Sequence, residues 1–208
     1  MTASSDTIQR AYLAGAATYD ARTAMYQDDR HRVVDLLPVR RGQVVVDVGC
    51  GTGLCFDRLQ AKVGPQGAIV GIDESPDMLA LAARRVDDAG WRNITLLHSS
   101  AQDAVLPARA DAALFCAVHD VLQSRSALGN ILAQLSPRAW VAAGGGRFGP
   151  RWMVGPNLLA KAAHGPYVRS FDGFDRPWGH LGQLVPNLAV RTIAHGLGYL
   201  AVGRRGCT

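Results

Sequence analysis

A short run of valines followed by a glycine-rich turn constrains the fold of this chain more than any other feature. The run Val44-Val45-Val46-Asp47-Val48 is β-branched almost throughout and lacks polar alternation, which predicts a central parallel strand buried on both faces. The turn Gly49-Cys50-Gly51-Thr52-Gly53 places glycines where a backbone must bend tightly or approach a ligand closely. Together they predict an α/β fold with a binding site where this strand ends.

The rest of the chain alternates short apolar runs with helix-like stretches, as a parallel sheet flanked by helices requires. Further strands are predicted over residues 68–72, 93–98, 110–116 and 140–143, and helices over 29–37 and 126–135. Ser75-Pro76 supplies a helix N-cap and a first-turn proline, so another helix is expected to begin there and to end near Gly90. Two apolar runs, 188–193 and 199–202, predict a closing pair of strands.

The composition favours one globular domain and excludes several classes of function. The chain has 208 residues, of which 48% are hydrophobic, and its net charge of +5 is spread along the sequence, so no nucleic-acid groove is predicted. Its four cysteines, Cys50, Cys55, Cys116 and Cys207, lack CxxC spacing, and His164, His180 and His195 are dispersed, so neither a disulfide framework nor a metal site is expected. A polar N-terminus and the lack of a long apolar run predict a cytoplasmic protein without a membrane span.

The residues around the glycine turn discriminate among nucleotide ligands. A phosphate-binding loop of the Walker type would place Lys and Ser or Thr after the last glycine, whereas Leu54-Cys55 follows Gly53. A dinucleotide fingerprint would have Gly or Ala where Leu54 stands, and it seldom has a carboxylate such as Asp47 two residues before its first glycine. An acidic loop without cations suits a ligand that carries a sulfonium and an ammonium, which favours S-adenosylmethionine over a pyrophosphate.

An acidic residue follows the second strand at the position where a ribose is usually held. Asp73 lies about 20 residues beyond Gly53, at the carboxyl end of the predicted strand, where a carboxylate can accept both ribose hydroxyls. Asp73 would serve NAD equally well, so Asp47 and Leu54 decide between the two ligands.

Three stretches of sequence carry a resemblance to a known family, together with Tyr19-Asp20 and Tyr26 ahead of the sheet. The stretches are Val45-Val46-Asp47-Val48-Gly49-Cys50-Gly51-Thr52-Gly53, Gly71-Ile72-Asp73-Glu74-Ser75-Pro76-Asp77-Met78-Leu79 and Ser99-Ser100-Ala101-Gln102-Asp103. With them the chain resembles a class I S-adenosylmethionine-dependent methyltransferase, of the ubiquinone and menaquinone biosynthesis type (methyltransferase type 11). The resemblance implies a three-layer Rossmann-like sandwich whose seven-stranded, mostly parallel sheet has an antiparallel C-terminal strand.

The resemblance also implies where S-adenosylmethionine, or its product S-adenosylhomocysteine, would be held. Asp47 with Gly49, Cys50 and Gly51 would hold the methionine portion, and Asp73, with Glu74 beside it, the ribose. The adenine would contact Met78, Ala101 and Gln102, Cys116 would border the sulfonium, and Tyr19 would fold over the donor. Ser100 stands where relatives often have Asp, and Arg138-Ala139 where they commonly have Gly-Gly, so this chain departs from the family pattern at both places.

Two residues just past the fourth predicted strand are candidates for catalysis. If the methyl acceptor is a phenol, enol or thiol that must lose a proton, His119 and Asp120 are best placed in the sequence to accept it. Alternatively Asp120 caps the next helix and His119 is a packed or exposed side chain.

The resemblance divides the chain into an N-terminal helical cap (1–40), a donor-binding core (41–149), an acceptor lid (150–186) and closing strands (187–208). The lid segment is rich in Gly, Pro and aromatic residues, which favours a small hydrophobic or aromatic acceptor, although core packing would explain the same composition.

Two other functions stay open: a methyltransferase-like module that binds a partner without catalysis, and a nicotinamide-dependent oxidoreductase. The atom that is methylated and the oligomeric state are not determined by the sequence.

Overall fold

The valine strand lies at the centre of a seven-stranded sheet in the computed structural model, which describes residues 18–206. This strand, β1 (Val44–Val48), pairs in parallel with β2 (Ala68–Asp73) on one side and with β4 (Ala110–Cys116) on the other. The full strand order is β3-β2-β1-β4-β5-β7-β6. The remaining strands are β3 (Ile94–His98), β5 (Leu135–Gly146), β6 (Ala189–Ile193) and β7 (Gly198–Arg204). Residues 1–17 and 207–208, and with them the predicted polar N-terminus and Cys207, lie outside the described residues.

Helices cover both faces of this sheet. They are α1 (Gln27–Asp35), α2 (Phe56–Val63), α3 (Pro76–Asp88), α4 (His119–Gln123), α5 (Arg125–Ala133), α6 (Val154–His164) and α7 (Gly179–Leu184); residues 18–23 are also helical. Short 3-10 turns occur at Ala24–Tyr26, Gly165–Tyr167 and Ala194–Gly196. As predicted, Ser75 caps α3, because its hydroxyl oxygen accepts a hydrogen bond from the backbone N–H of Met78 and Pro76 takes the first helical position.

The apolar residues of β1 divide between two cores, one on each side of the sheet. Val46 and Val48 pack into a core that includes Leu122 of α4 and Leu128 of α5. Val45 packs into the other core, with buried residues of α1, α2 and α3. Successive side chains of a strand point to opposite faces, so this division confirms the predicted three-layer sandwich.

The closing strands also confirm the expectation. β6 and β7 form an antiparallel pair, and β7 runs antiparallel to β5. The sheet is therefore mostly parallel with an antiparallel C-terminal strand. Among the described helices, none has the length and apolar character needed to cross a bilayer.

Some predicted boundaries were wrong, most clearly around the fifth strand. The helix predicted over 126–135 ends at Ala133, and β5 begins at Leu135 rather than at Trp140. Leu135 is fully buried and pairs with Ala110, so sheet pairing outweighs the local helical pattern. The pairing then shifts, since Ala112 faces Trp140, and within the shifted segment Arg138 takes the left-handed conformation with φ of 62°. The helix predicted over 29–37 begins and ends two residues earlier than expected.

Candidate active site

A cleft of about 330 Å³ opens at the carboxyl ends of β1, β2 and β4. From β1 the sheet grows through β2 to β3 in one direction, and β4 then pairs with the opposite edge of β1. The strand order therefore reverses at β1. Open α/β sheets bind their ligands at such a switch point. All of the predicted site residues line this cleft except Asp47 and Cys50. Those that line it are Tyr19, Gly49, Gly51, Asp73, Glu74, Met78, Ala101, Gln102, Cys116, His119 and Asp120.

The glycine turn forms one wall of the cleft with its backbone. Gly49 has φ of 68°, and a Cβ at this position would lie 2.4 Å from Cγ1 of Val118, so a side chain is excluded both by conformation and by space. Gly51 has φ of 56°, and the space where its Cβ would lie is open. The turn therefore packs against the loop after β4 on one side and offers bare backbone on the other.

Asp73 ties the end of β2 to this turn. Its Oδ2 accepts a hydrogen bond from the backbone N–H of Gly51 at 2.8 Å, and its Oδ1 accepts one from Ser75 at 2.9 Å. Burial raises the pKa of the Asp73 carboxyl, while these two hydrogen bonds act in the opposite direction. Each carboxylate oxygen keeps capacity for a further donor, such as a hydroxyl of a bound molecule.

Residues of α3 and of the loop after β3 also line the cleft. Met78 is buried at the start of α3, and Ala101 and Gln102 face it from the loop after β3. Ser99 and Ser100, which were not predicted as site residues, line the same wall. The Ser100 hydroxyl donates to Asp103 at 2.6 Å, so the residue that replaces the family's Asp is itself tied to a carboxylate.

Asp47 and Cys50 lie behind the turn and do not line the cleft, so their predicted contact with the donor stays a prediction. Asp47 shares the face of β1 that carries Val45, and only 1% of its surface is exposed. Its Oδ2 has no hydrogen-bond partner among the described residues. Burial, and secondly the charge of Asp73, raise the pKa of Asp47 to about 7. Cys50 packs into the core, with its Sγ 3.0 Å from the position that a Cβ on Gly71 would take.

The helical segment 18–23 is fastened to the glycine turn by a polar clasp that the sequence did not predict. Asp20 accepts a hydrogen bond from the Thr52 hydroxyl at 2.6 Å and forms an ion pair with Arg85. The guanidinium of Arg85 also donates to the backbone carbonyl of Thr52 at 2.9 Å. We call Asp20, Thr52 and Arg85 the N-terminal clasp; it holds the neighbouring Tyr19 at the wall of the cleft.

Tyr19 meets an aromatic residue from the far end of the chain. Its ring stands edge-on to the ring of Tyr167, with centroids 5.6 Å apart. Burial raises the pKa of the Tyr19 phenol. Both residues line the cleft.

His119 is buried at the start of α4 and is oriented by the backbone of residue 172. Its Nε2 lies 3.0 Å from the carbonyl oxygen of Asp172, so the neutral ring carries its proton on Nε2 and leaves Nδ1 as an acceptor. Nδ1 has no partner among the described residues. The ring also packs edge-on against Phe174 at 4.9 Å, and burial lowers the pKa of His119.

Asp120 binds the segment that follows α6 instead of capping a helix with its side chain. Both of its oxygens accept from the backbone N–H of Arg169, at 3.1 Å each. The Arg169 guanidinium reaches Oε1 of Glu74 at 2.6 Å, so one residue spans the cleft between the ends of β2 and β4. Arg169 lies in a segment of irregular sequence, and no local pattern singled it out as a site residue.

The charge of the cleft lining is negative overall. Among the described residues that line it, the carboxylates Asp73, Glu74 and Asp120 outnumber the one arginine, Arg169. The lining therefore suits a ligand with net positive charge.

Next to Cys116, Ala117 holds the left-handed conformation with φ of 58°. This conformation is uncommon for a residue with a side chain and is enriched at functional sites.

Comparison with known proteins gives similarity to methyltransferases in each case. The family model described as "Methyltransferase domain" matches residues 45–138. Aklanonic acid methyltransferase DauC of Streptomyces sp. (strain C5) is 34% identical over 103 residues, which cover 49% of this chain and 47% of that protein. A demethylmenaquinone methyltransferase of Geobacillus stearothermophilus is 31% identical over 97 residues, covering 44% and 42% respectively. The chain thus spans about half the length of the curated relatives that it matches.

Solved structures agree with the fold over nearly the whole chain. A SAM-dependent methyltransferase from Aquifex aeolicus superposes with a TM-score of 0.64 and 19% identity, covering 92% of this chain and 97% of that one. The N-methyltransferase NodS of Bradyrhizobium japonicum WM9, solved in complex with S-adenosyl-L-homocysteine, gives a TM-score of 0.61 at 16% identity and covers 86% of each chain. Residues 45–138 are thus similar to a methyltransferase domain, and the chain has the same fold as these solved S-adenosylmethionine-dependent methyltransferases.

Proposed function

We propose that this chain binds S-adenosylmethionine in the cleft and transfers its methyl group to a small apolar or aromatic acceptor. The observation that carries the proposal is the gathering of Gly51, Asp73, Met78 and Gln102 along one wall of a single cleft, with His119 on the opposite loop. These residues come from four separate parts of the sequence.

The described residues fit such a donor. S-adenosylmethionine bears a sulfonium, an ammonium and one carboxylate, so a lining in which carboxylates outnumber cations is favourable for it. Bare backbone at Gly51 lets the ligand approach the turn closely, and Asp73 has remaining capacity for ribose hydroxyls. Met78 and Ala101 offer apolar surface for an adenine ring.

The bound donor would supply a methyl group on a good leaving group, so the main task of the protein is to hold donor and acceptor in line and to exclude water. Tyr19 and Tyr167 line the cleft, and Arg169 spans it. We assign the clasp residues and Arg169 to positioning.

His119 is the group placed to accept a proton from an acidic acceptor. Its Nε2–H is engaged by the carbonyl of Asp172, which fixes the ring. Its Nδ1 is buried without a partner among the described residues, so proton transfer to it requires that a bound acceptor displace the side chains that cover this nitrogen. Both oxygens of Asp120 are engaged by the backbone of Arg169, so we assign Asp120 to holding segment 165–174 and not to proton transfer.

A cluster of aromatic side chains that packs against His119 from outside the cleft lining supports the choice of acceptor class. Phe174 contacts both His119 and Phe148, and Phe148 stacks on Phe171 at 5.4 Å. The two relatives named above carry the names of small-molecule substrates, aklanonic acid and demethylmenaquinone. We accordingly interpret residues 150–186 as the acceptor lid.

Calorimetry with S-adenosylhomocysteine and with NADPH tests the donor assignment. We expect heat with S-adenosylhomocysteine and none with NADPH; the reverse result would favour an oxidoreductase. If the donor product binds but no methyl group reaches any member of a panel of hydroxylated aromatic acceptors, the chain acts as a binding module.

Replacing Asp73 by Ala should weaken the binding of S-adenosylhomocysteine more than about tenfold, because two charge-assisted hydrogen bonds to the ribose are lost. Asp57→Ala, at an exposed position in the first turn of α2, is the matched control and should leave the affinity unchanged. Equal affinity of the wild type and Asp73→Ala would contradict the ribose assignment.

A further inference from the structure

Helix α6 (Val154–His164) is a helix without a single buried residue. Its inward side contacts the domain at several residues, and Nζ of Lys161 lies 5.9 Å from the centroid of the Phe171 ring. Asn157 accepts from the backbone N–H of Gly149 at 2.8 Å, and the ring of His164 packs against Phe174 at 5.3 Å. The helix is therefore attached along one side and leaves the rest of its surface open.

The open side of α6 is apolar. Val154, Leu158 and Leu159 are exposed to 63%, 63% and 74%, and Trp152, just before the helix, to 80%. Ala162 and Ala163 continue this side and are exposed as well. A surface helix ordinarily turns polar residues outward, so an outward face of Val, Leu and Ala indicates that something apolar covers it.

The charges around this face have one dominant sign. Residues 147–171 include Arg147, Arg151, Lys161 and Arg169 and contain no Asp or Glu. Three of these cations, Arg147, Arg151 and Lys161, line a groove of about 660 Å³ beside α6 together with Phe148 and Phe171; Asp175 is the one carboxylate in the described lining. The apolar face is thus bordered by positive charge.

We infer that the outward face of α6, with Trp152 and the flanking cations, docks on an anionic bilayer surface. Interfacial helices combine an apolar face that enters the headgroup region with Lys and Arg that contact anionic lipids, and Trp is favoured at this depth. A second copy of the chain fits less well, because a two-fold interface through α6 would bring Arg151 and Lys161 close to their own symmetry mates. The inference stands on exposure and charge and does not depend on methyl transfer.

Vesicle flotation of the full chain tests this docking. Vesicles of phosphatidylcholine with roughly a third phosphatidylglycerol should carry the protein at physiological ionic strength, and pure phosphatidylcholine vesicles should carry at least about tenfold less. About 0.5 M salt should release much of the bound protein, because the Debye length falls well below its physiological value of about 8 Å. Equal binding to both kinds of vesicle, or binding to neither, would overturn the inference.

Two matched pairs of variants locate the surface. Leu158→Gln with Leu159→Gln should lower vesicle binding more than about tenfold, whereas Val105→Gln, at a similarly exposed apolar residue elsewhere, should not.

Arg151→Gln with Lys161→Gln should weaken binding to anionic vesicles about tenfold. Arg84→Gln with Arg125→Gln changes the net charge equally and should have a smaller effect. All of these positions are exposed, so unchanged thermal unfolding should accompany each change.

Two results would overturn the assignment of this face to the bilayer. If the Leu158→Gln, Leu159→Gln variant floats as well as the wild type, α6 is not the contact. If light scattering shows a dimer that the same variant dissociates, the face joins two copies of the chain.

Discussion

At the scale of single residues, the surroundings of His119 set the tautomer and the protonation state of its buried ring. The carbonyl of Asp172 fixes its tautomer, Phe174 supports its ring, and Nδ1 is left without a partner among the described residues. Burial lowers the pKa of the ring below its ordinary value of 6.5, so the ring is neutral, and able to accept a proton, at neutral pH.

His119→Gln should therefore lower kcat/KM roughly a hundredfold or more for an acceptor that must be deprotonated. In the wild type the rate should rise with pH through a midpoint below 6.5 and stay level above it, because only the neutral ring acts as a base. Rate measurements across pH on both proteins, with His31→Gln outside the cleft as the control, check this. An unchanged rate and profile in the His119 variant would mean that no proton passes through this residue.

At the scale of elements, the walls of the cleft are held by contacts between distant segments. The N-terminal clasp fastens segment 18–23 to the turn after β1, and Arg169 fastens the segment after α6 to the ends of β2 and β4. The ion pairs are partly exposed, so their contribution to global stability is small, about 0 to 1 kcal/mol. Their effect should appear in ligand affinity, because each places an aromatic side chain at the cleft.

Asp20→Asn should thus weaken S-adenosylhomocysteine binding roughly threefold to tenfold, with little change in the midpoint of thermal unfolding. Asp35→Asn removes the ion pair with Arg58, which is similarly exposed and lies outside the cleft lining, and should leave the affinity unchanged. Calorimetric titration of both variants makes the comparison. Equal affinities would show that the clasp does not hold the donor wall.

At the scale of the whole molecule, the pH dependence of folding should reflect the buried Asp47. Its folded pKa of about 7 lies above its ordinary value of 3.8, so the folded state binds the proton more tightly than the unfolded state does. The carboxyl therefore lowers the free energy of unfolding progressively as the pH rises from about 4 to about 7, by on the order of 1.4 kcal/mol per pH unit at most.

Asp47→Asn should abolish this fall in the free energy of unfolding with rising pH. The variant should therefore be more stable than the wild type at pH 8, by about 2 to 4 kcal/mol. The difference should shrink toward zero as the pH falls below about 4, because the carboxyl is protonated in the folded state there and becomes protonated in the unfolded state as well. Urea unfolding at several pH values measures it. A constant difference across this range would show that Asp47 is not the titrating group.

The sequence predicts the fold well because the fold rests on local patterns. The valine run, the glycines and Ser75-Pro76 each act within a few residues, and the structure has the predicted layers, sheet and helix start. The shift at Leu135 and Arg138 was missed because it arises from pairing with β4, which is remote in sequence.

The candidate site was predicted less evenly. Residues at strand ends, such as Asp73 and His119, were found because strand ends meet at one edge of a parallel sheet. Arg169 and the clasp partners were missed because only the folded chain brings them to that edge. The burial of Asp47 and Cys50 behind the turn was not predicted, because spacing alone does not tell which side of a turn a side chain takes.

The contact between Gly49 and Val118 bears on how proteins of this kind can diverge. The turn after β1 and the loop that carries His119 touch so closely that not even a methyl group fits between them. A substitution that reshapes either one displaces the other, so the turn and the start of α4 vary together or stay as they are. Tyr167 and Arg169 line the cleft from a separate segment, so this part of the cleft can change in shape, and with it the proposed choice of acceptor, while the turn after β1 stays intact.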